Sequence, residues 1–263
     1  MLRFRTLALG LCALAALVAT PAFALVGTHG PAITSFDSRA SSVALSASHR
    51  MFNGQALTTL TYNTAFSSTT GRLSSQFGAH ALLLQETGLG VGMSAGAVAM
   101  YIVSQGERFA NGVPKRATRF YGGLVPTAIL GTIGGRVWVP VVAGAVQTFS
   151  PTHWLSINGY AELAPGFDFN AKVSPTALDE ATGKDEKLSE DKLRELFDEA
   201  VSWDYGFGFG WRAGVDATFH LGEAFDLSVR GGAGNVGSDV GFNAQLVLTM
   251  RWDDIVPAVL PKK

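Results

Sequence analysis

The chain has 263 residues, is 47% hydrophobic and 16% charged, contains 31 glycines and carries a formal net charge of −1. No segment is strongly basic, which argues against nucleic acid as a partner. Cys12 is the only cysteine and lies among the first 24 residues, so disulfide scaffolding and thiol catalysis are excluded from the rest of the chain.

Residues 1–24 read as a cleaved secretory signal peptide. Arg3 and Arg5 form its charged start, Leu7 to Val18 its short apolar core, and Ala22-Phe23-Ala24 a small-x-small cleavage site. The mature chain is then expected to begin at Leu25, with 18 basic and 21 acidic residues and a net charge of −3. Beyond residue 24 no continuous apolar run reaches the roughly 18 residues of a membrane helix.

Apolar and polar residues alternate from there onward, the period of a β-strand whose successive side chains point to opposite faces. Ten segments are expected, at 41–51, 56–67, 72–86, 89–104, 115–130, 135–149, 153–169, 203–221, 223–236 and 239–252. The third sets Leu73, Phe77, Ala79, Ala81 and Leu83 against Arg72, Gln76 and His80. The fourth keeps Val91, Met93, Ala95, Ala97, Ala99 and Tyr101 in phase. Pro126 and Pro140 should disturb the ladder, since proline lacks the N–H that a central strand donates. The seventh sets Leu155, Ile157, Ala161, Leu163, Phe167 and Phe169 against Ser156, Asn158, Tyr160, Glu162 and Asp168. In the eighth, WDYGFGFGWRAGVDATFHL, every odd position is apolar and every even one is polar, charged or glycine. Short links with turn residues, such as Asn53-Gly54 and Gly237-Ser238, favour antiparallel neighbours.

The polar face is rich in glycine and carries both charge signs: Arg72, Arg119, Glu162, Asp204, Arg212, Asp216, Asp226, Arg230 and Arg251. On a water-facing strand glycine weakens the strand for no packing gain, whereas inside a narrow barrel it leaves room for neighbours. The apolar face should therefore meet lipid, and the charges should pair inside the lumen. Trp203, Tyr205, Phe207, Phe209, Trp211, Phe219, Phe225 and Trp252 form the expected lipid-facing and girdle set. The fold class is all-β, an antiparallel transmembrane β-barrel of about ten strands.

The cleavable signal, the alternating strands and the aromatic strand near the C-terminus resemble small bacterial outer-membrane β-barrel proteins. The resemblance covers most of 41–252 and lies in pattern, without a signature motif. It implies a Gram-negative outer membrane as location, lipid as surroundings and protein partners in an envelope assembly. One departure is the 253–263 tail, DDIVPAVLPKK, which follows Trp252 where such chains commonly end in an aromatic residue. The barrel unit is thus 25–252, with its longest link at 170–202 on the outer side.

Within that link, Ser189 suits an N-cap, and Leu193, Leu196, Phe197 and Val201 fall on one helical stripe over 190–201, a candidate partner surface. The acidic residues Asp179, Glu180, Asp185 and Glu186 match no calcium-loop spacing. GLGVGMSAG and GGAGNVG lack the lysine and following helix of a phosphate loop. Asp216 and His220 share a face but stand about 13 Å apart along the strand, and His153 and Ser156 differ in parity. No Ser-His-acid set converges in the sequence, although neighbouring strands could still assemble one. No cofactor, metal or catalytic residue is expected, and the first reading is a structural or interaction component. A narrow solute channel and a lipid-modifying barrel enzyme are the alternatives.

Overall fold

The computed structural model describes residues 35–36, 41–52, 55–67, 71–84, 88–131, 134–173, 201–236 and 239–251. They form β1 (Ser42–Phe52), β2 (Gln55–Ser67), β3 (Gly71–Leu84), β4 (Gly88–Gln105), β5 (Arg116–Leu124), β6 (Thr127–Gly131), β7 (Gly134–Thr152), β8 (Leu155–Val173), β9 (Val201–Leu221), β10 (Phe225–Val236) and β11 (Asp239–Arg251). Sequence neighbours other than β5 and β6 pair antiparallel, β1 pairs with β11, and β3 pairs with β4, so the sheet closes on itself.

β5 and β6 share one stave, since β4 and β7 each pair with both. Val125 and Pro126 break that stave, Pro126 having no N–H to donate, and the Pro126 carbonyl still accepts from Ala95 N–H at 3.1 Å. The barrel therefore has ten staves. Pro140 marks a second irregularity: it pairs with Gly166 and Ala143 pairs with Leu163, with no ladder partners between them, where Pro165 stands opposite.

The pleat separates the two faces cleanly. Leu45, Phe77, Val91, Met93, Leu130, Val215 and Phe242 are exposed on the outside. Alternate residues point inward and are buried, most of them polar or charged. Apolar outside and polar inside is the pattern of a transmembrane β-barrel, the inverse of a water-soluble one.

The lumen wall has two arcs. Along β4 to β7 its buried residues are mostly apolar, including Val98, Met100, Val125, Ile129, Trp138, Val142 and Val146. From β8 round through β11 to β1 and β3 they are mostly polar, including Glu162, Arg212, Asp216, Arg230, Arg251, Arg50 and Arg72.

The terminal mouth holds the start of β1, the end of β11 and the turns β7–β8 and β9–β10. It also holds the 106–115 connection, which folds back as a hairpin with an Arg108–Pro114 bridge and Gly112 at φ +79°. The 174–200 connection leaves from the opposite mouth. There β9 outgrows the wall: it pairs with β8 from Val201 to Phe219, but with β10 only from Arg212 onward.

Two boundaries differ from expectation. Ladder pairing carries β8 through Val173 and starts β9 at Val201, so the long link is 174–200 and not 170–202. Val201 is thus a strand residue paired with Val173 and not the end of a helix. The expected helix with Leu193, Leu196 and Phe197, the signal peptide and the 253–263 tail lie outside the described residues.

Candidate functional site

A hydrogen-bonded belt crosses the lumen wall near its terminal half. Arg119 Nη1 donates to Thr148 Oγ1 at 2.6 Å, and Thr148 Oγ1 donates to Asn158 Oδ1 at 2.6 Å. Asn158 Nδ2 donates to Asp216 Oδ1 at 2.8 Å, and Arg230 Nε reaches Asp216 Oδ2 at 3.2 Å. Arg230 Nη1 then donates to Gln245 Oε1 at 2.9 Å, and Gln245 Nε2 to Ser46 Oγ at 3.0 Å. The belt joins β5, β7, β8, β9, β10, β11 and β1. One level further from the termini, Arg212 pairs with Glu162, and Tyr121 Oη reaches over Gly144 of β7 to donate to Glu162 Oε2 at 3.0 Å. In such a low-dielectric interior a charge is tolerated only when paired and hydrogen-bonded.

Eight of the nine charged residues singled out in the sequence are buried in the interior; Asp204, near the far mouth, is only half-buried. Arg72 ties the segment before β1 to the wall: it donates to Ser42 Oγ at 2.5 Å and to the Ser35 carbonyl at 3.3 Å. Of the aromatic set, Tyr205, Phe207 and Phe225 are exposed, and Phe209, Trp211 and Phe219 are half-buried. Phe219 stacks on Trp154 at 6.4 Å. The side chain of Trp203 and all of Trp252 lie outside the described part. Of the two glycine-rich runs, GLGVGMSAG lies in β4 and GGAGNV in β10.

The first surprise is Phe36, which precedes β1 yet sits inside the lumen at 3% exposure. Its ring lies beneath the Arg230 guanidinium, 4.3 Å from ring centroid to Cζ, and 5.7 Å from the Tyr160 ring. Its other neighbours in the buried cluster include Val98, Met100, Val125, Val142 and Val146. It wedges between the two arcs, apolar on one side and cation–π on the other. Glycine makes room beside it: a Cβ at Gly214 or Gly232 would collide with the Tyr160 hydroxyl. No periodic signal in the sequence marks Phe36, because the segment before β1 is not a strand.

Nearer the mouth, the 106–115 hairpin is tied to the β7–β8 end of the wall. Val113 is fully buried, Asn111 Nδ2 donates to the His153 carbonyl at 2.7 Å, and Ser150 N–H donates to the Lys115 carbonyl at 2.9 Å. On its exposed edge Lys115 bonds Glu107 at 2.7 Å and holds that carboxyl below its usual range.

The second surprise is a Ser-His-acid set that strand neighbours assemble. Ser156 Oγ lies 2.7 Å from His220 Nε2, and His220 Nδ1 lies 2.7 Å from Asp226 Oδ1. Register makes the set: Asp226 pairs with His220 across β9–β10, and Ser156 pairs with Thr218 across β8–β9, diagonal to His220. The separation of Asp216 and His220 along β9 stands, and His153 is exposed in the turn while Ser156 faces inward. The signal available in the sequence was the inward parity of Ser156, His220 and Asp226 close to the strand ends; the pairing register was missing. Among the described residues no group of His, Cys, Asp and Glu has the arrangement of a metal site.

No family model matches the sequence. No curated protein matches it either. Among solved structures, the chain is similar to Ail, the attachment invasion locus protein of Yersinia pestis, at 12% identity and TM-score 0.31, covering 82% of this chain and 99% of that one. It is similar to the translocator domain of the autotransporter NalP from Neisseria meningitidis at 10% identity and TM-score 0.38, covering 83% and 90%. It is also similar to the KdgM porin at 12% identity and TM-score 0.30, covering 78% and 97%.

Proposed function

We propose that this chain is a sealed barrel of the Gram-negative outer membrane, exported by a cleaved signal peptide, that acts as a structural and interaction component of the envelope. The observation that carries the reading is the filling of the lumen: Phe36, the Arg119-to-Ser46 belt, the Glu162–Arg212 pair and the Val113 hairpin occupy it in series. Barrels of about eight strands are filled by side chains, and open water channels come with about 16–18. Ten staves with a plug fall at the filled end.

With the lumen occupied, recognition falls to the surface. The far end of β9 supports this. Residues 201–211 extend past the last β10 pairing among the described residues, with Tyr205 and Phe207 exposed and the Asn235 side chain bridging back to Phe209 O and Trp211 N. Such an edge offers unpaired backbone groups to a partner strand. If the termini are periplasmic, as in even-stranded barrels with short periplasmic turns, this edge and the 174–200 connection face outward.

The test is conductance of the purified mature chain in planar bilayers. A sealed barrel gives no ion steps. Steady single-channel conductance would overturn the reading and favour a narrow solute channel.

A further inference from the structure

We propose that Ser156, His220 and Asp226 form a serine-nucleophile site at the terminal end of the lumen, competent to attack a small carboxylic ester. The inference goes beyond the sealed-scaffold reading and fails independently of it, since labelling and conductance are separate measurements.

An ionised carboxylate only accepts hydrogen bonds, so Asp226 assigns the proton of the neutral imidazole to Nδ1. Nε2 then faces Ser156 Oγ as the acceptor at 2.7 Å, the arrangement of a general base beside a hydroxyl nucleophile. Asp226 is itself fixed: Arg251 Nη1 holds Oδ2 at 2.5 Å, and Arg251 Nη2 bonds the Gly222 carbonyl at 2.9 Å in the β9–β10 turn. Ser150 Oγ lies 2.8 Å from both Ser156 Oγ and the Pro114 carbonyl, and with Ser156 donating to His220 it can give its one proton to Ser156 Oγ or to that carbonyl but not to both. Three adjacent staves thus supply nucleophile, base and orienting carboxylate, and a rigid scaffold holds such a set better than loops do.

A cavity of about 20 Å³ touches both Ser156 and His220, room for one water. Arg119, Thr148 and Asn158 line its far wall. Arg119 supplies a cation for the negative charge that develops on the ester carbonyl oxygen. The remaining lining is Thr218 of β9 together with Phe36 and Pro114, the last two belonging to the segment before β1 and to the 106–115 hairpin. Trimming the Phe36 side chain enlarges the cavity without unpairing a strand.

The step balances. Ser156 Oγ forms a bond to the ester carbonyl carbon as its proton passes to His220 Nε2. The carbon–alkoxide bond then breaks, and the alcohol leaves with that proton. Water repeats the sequence on the acyl-serine and releases the carboxylic acid, restoring Ser156.

The test uses the mature protein in detergent with a small fluorophosphonate probe, read by intact mass and peptide mapping. Wild type should label slowly at Ser156, and Phe36→Gly, with one wall of the cavity removed, should label at least about tenfold faster. Ser156→Ala should not label, and His220→Gln should slow labelling by about 100-fold or more. Asp226→Asn should lose the reaction and Asp226→Glu recover part of it, a graded rescue that a merely structural hydrogen bond would not give. No label at Ser156 in either wild type or Phe36→Gly, with both showing cooperative thermal unfolding, overturns the proposal. So does label on Ser150, or a rate indifferent to His220→Gln. If Phe36→Gly does not assemble, wild type alone decides: absence of label at Ser156 overturns it.

Discussion

The two arcs of the lumen wall occupy the same kind of position, inward-facing residues of antiparallel staves, yet they are built from opposite chemistry. Along β4 to β7, Trp138, Ile129, Val142 and Val146 exclude water by packing, and no polar partner is needed. Along β8 to β11, Glu162, Arg212, Asp216 and Arg230 exclude it by pairing, each charge held against another. Phe36 touches both arcs and is suited to both, an apolar ring with a negative face. The lesson is that a barrel interior imposes no single residue type. It demands that space be filled and that buried polar groups be satisfied, and either solution closes the lumen. Only the lipid face demands apolar residues throughout.

The contrast predicts unequal tolerance. Glu162→Leu leaves Arg212 buried without its carboxylate and should cost about 3–5 kcal/mol, read by denaturant unfolding of the folded barrel. The double variant Glu162→Leu/Arg212→Met should recover most of that loss, because a buried pair replaced by apolar groups is close to neutral. A double variant as unstable as the single would show that the charged arc needs its charges and not only its filling.

Phe36→Leu keeps the apolar contact with one arc and removes the ring beneath Arg230. It should cost about 2 kcal/mol, the scale of a desolvated cation–π contact, and speed proteolysis of the segment before β1. Ile129→Val in the apolar arc deletes one methylene and should cost about 0.5–1.5 kcal/mol. An Ile129→Val loss as large as that of Glu162→Leu would erase the distinction between the arcs. The smallest effect belongs outside the lumen. Lys115→Met removes the exposed bond to Glu107, and the thermal midpoint at neutral pH should not move measurably. The depressed Glu107 carboxyl gives a contribution present above its ordinary range and lost as pH falls through the folded value, so any residual difference should vanish in acid.

Much of the fold was legible locally. Each of the ten expected segments lies on a stave, and most ends agree within three residues, because a period of two and a turn residue are properties of a few neighbours. Pro126 was readable for the same reason, as a missing donor in a ladder. The site was less legible. The parity of Arg212, Asp216 and Arg230 placed them inside, but parity alone does not say that Asp216 meets Asn158 and Arg230 while Arg212 meets Glu162.

By itself, the sequence determined which residues alternate, where strands turn and which face is apolar, since these follow from backbone geometry and side-chain polarity at short range. Tertiary structure alone decided what fills the lumen and which groups meet there. Ser156 and His220 are 64 positions apart, and only the β8–β9 register brings them within a hydrogen bond. Phe36 belongs to no strand and carries no period; its place depends on a pocket made by β4, β7, β8 and β10 together. The physical reason is the same in both cases. Closure of the sheet fixes distances between residues far apart in the chain, and the energy of a buried contact depends on that distance, which no local pattern encodes.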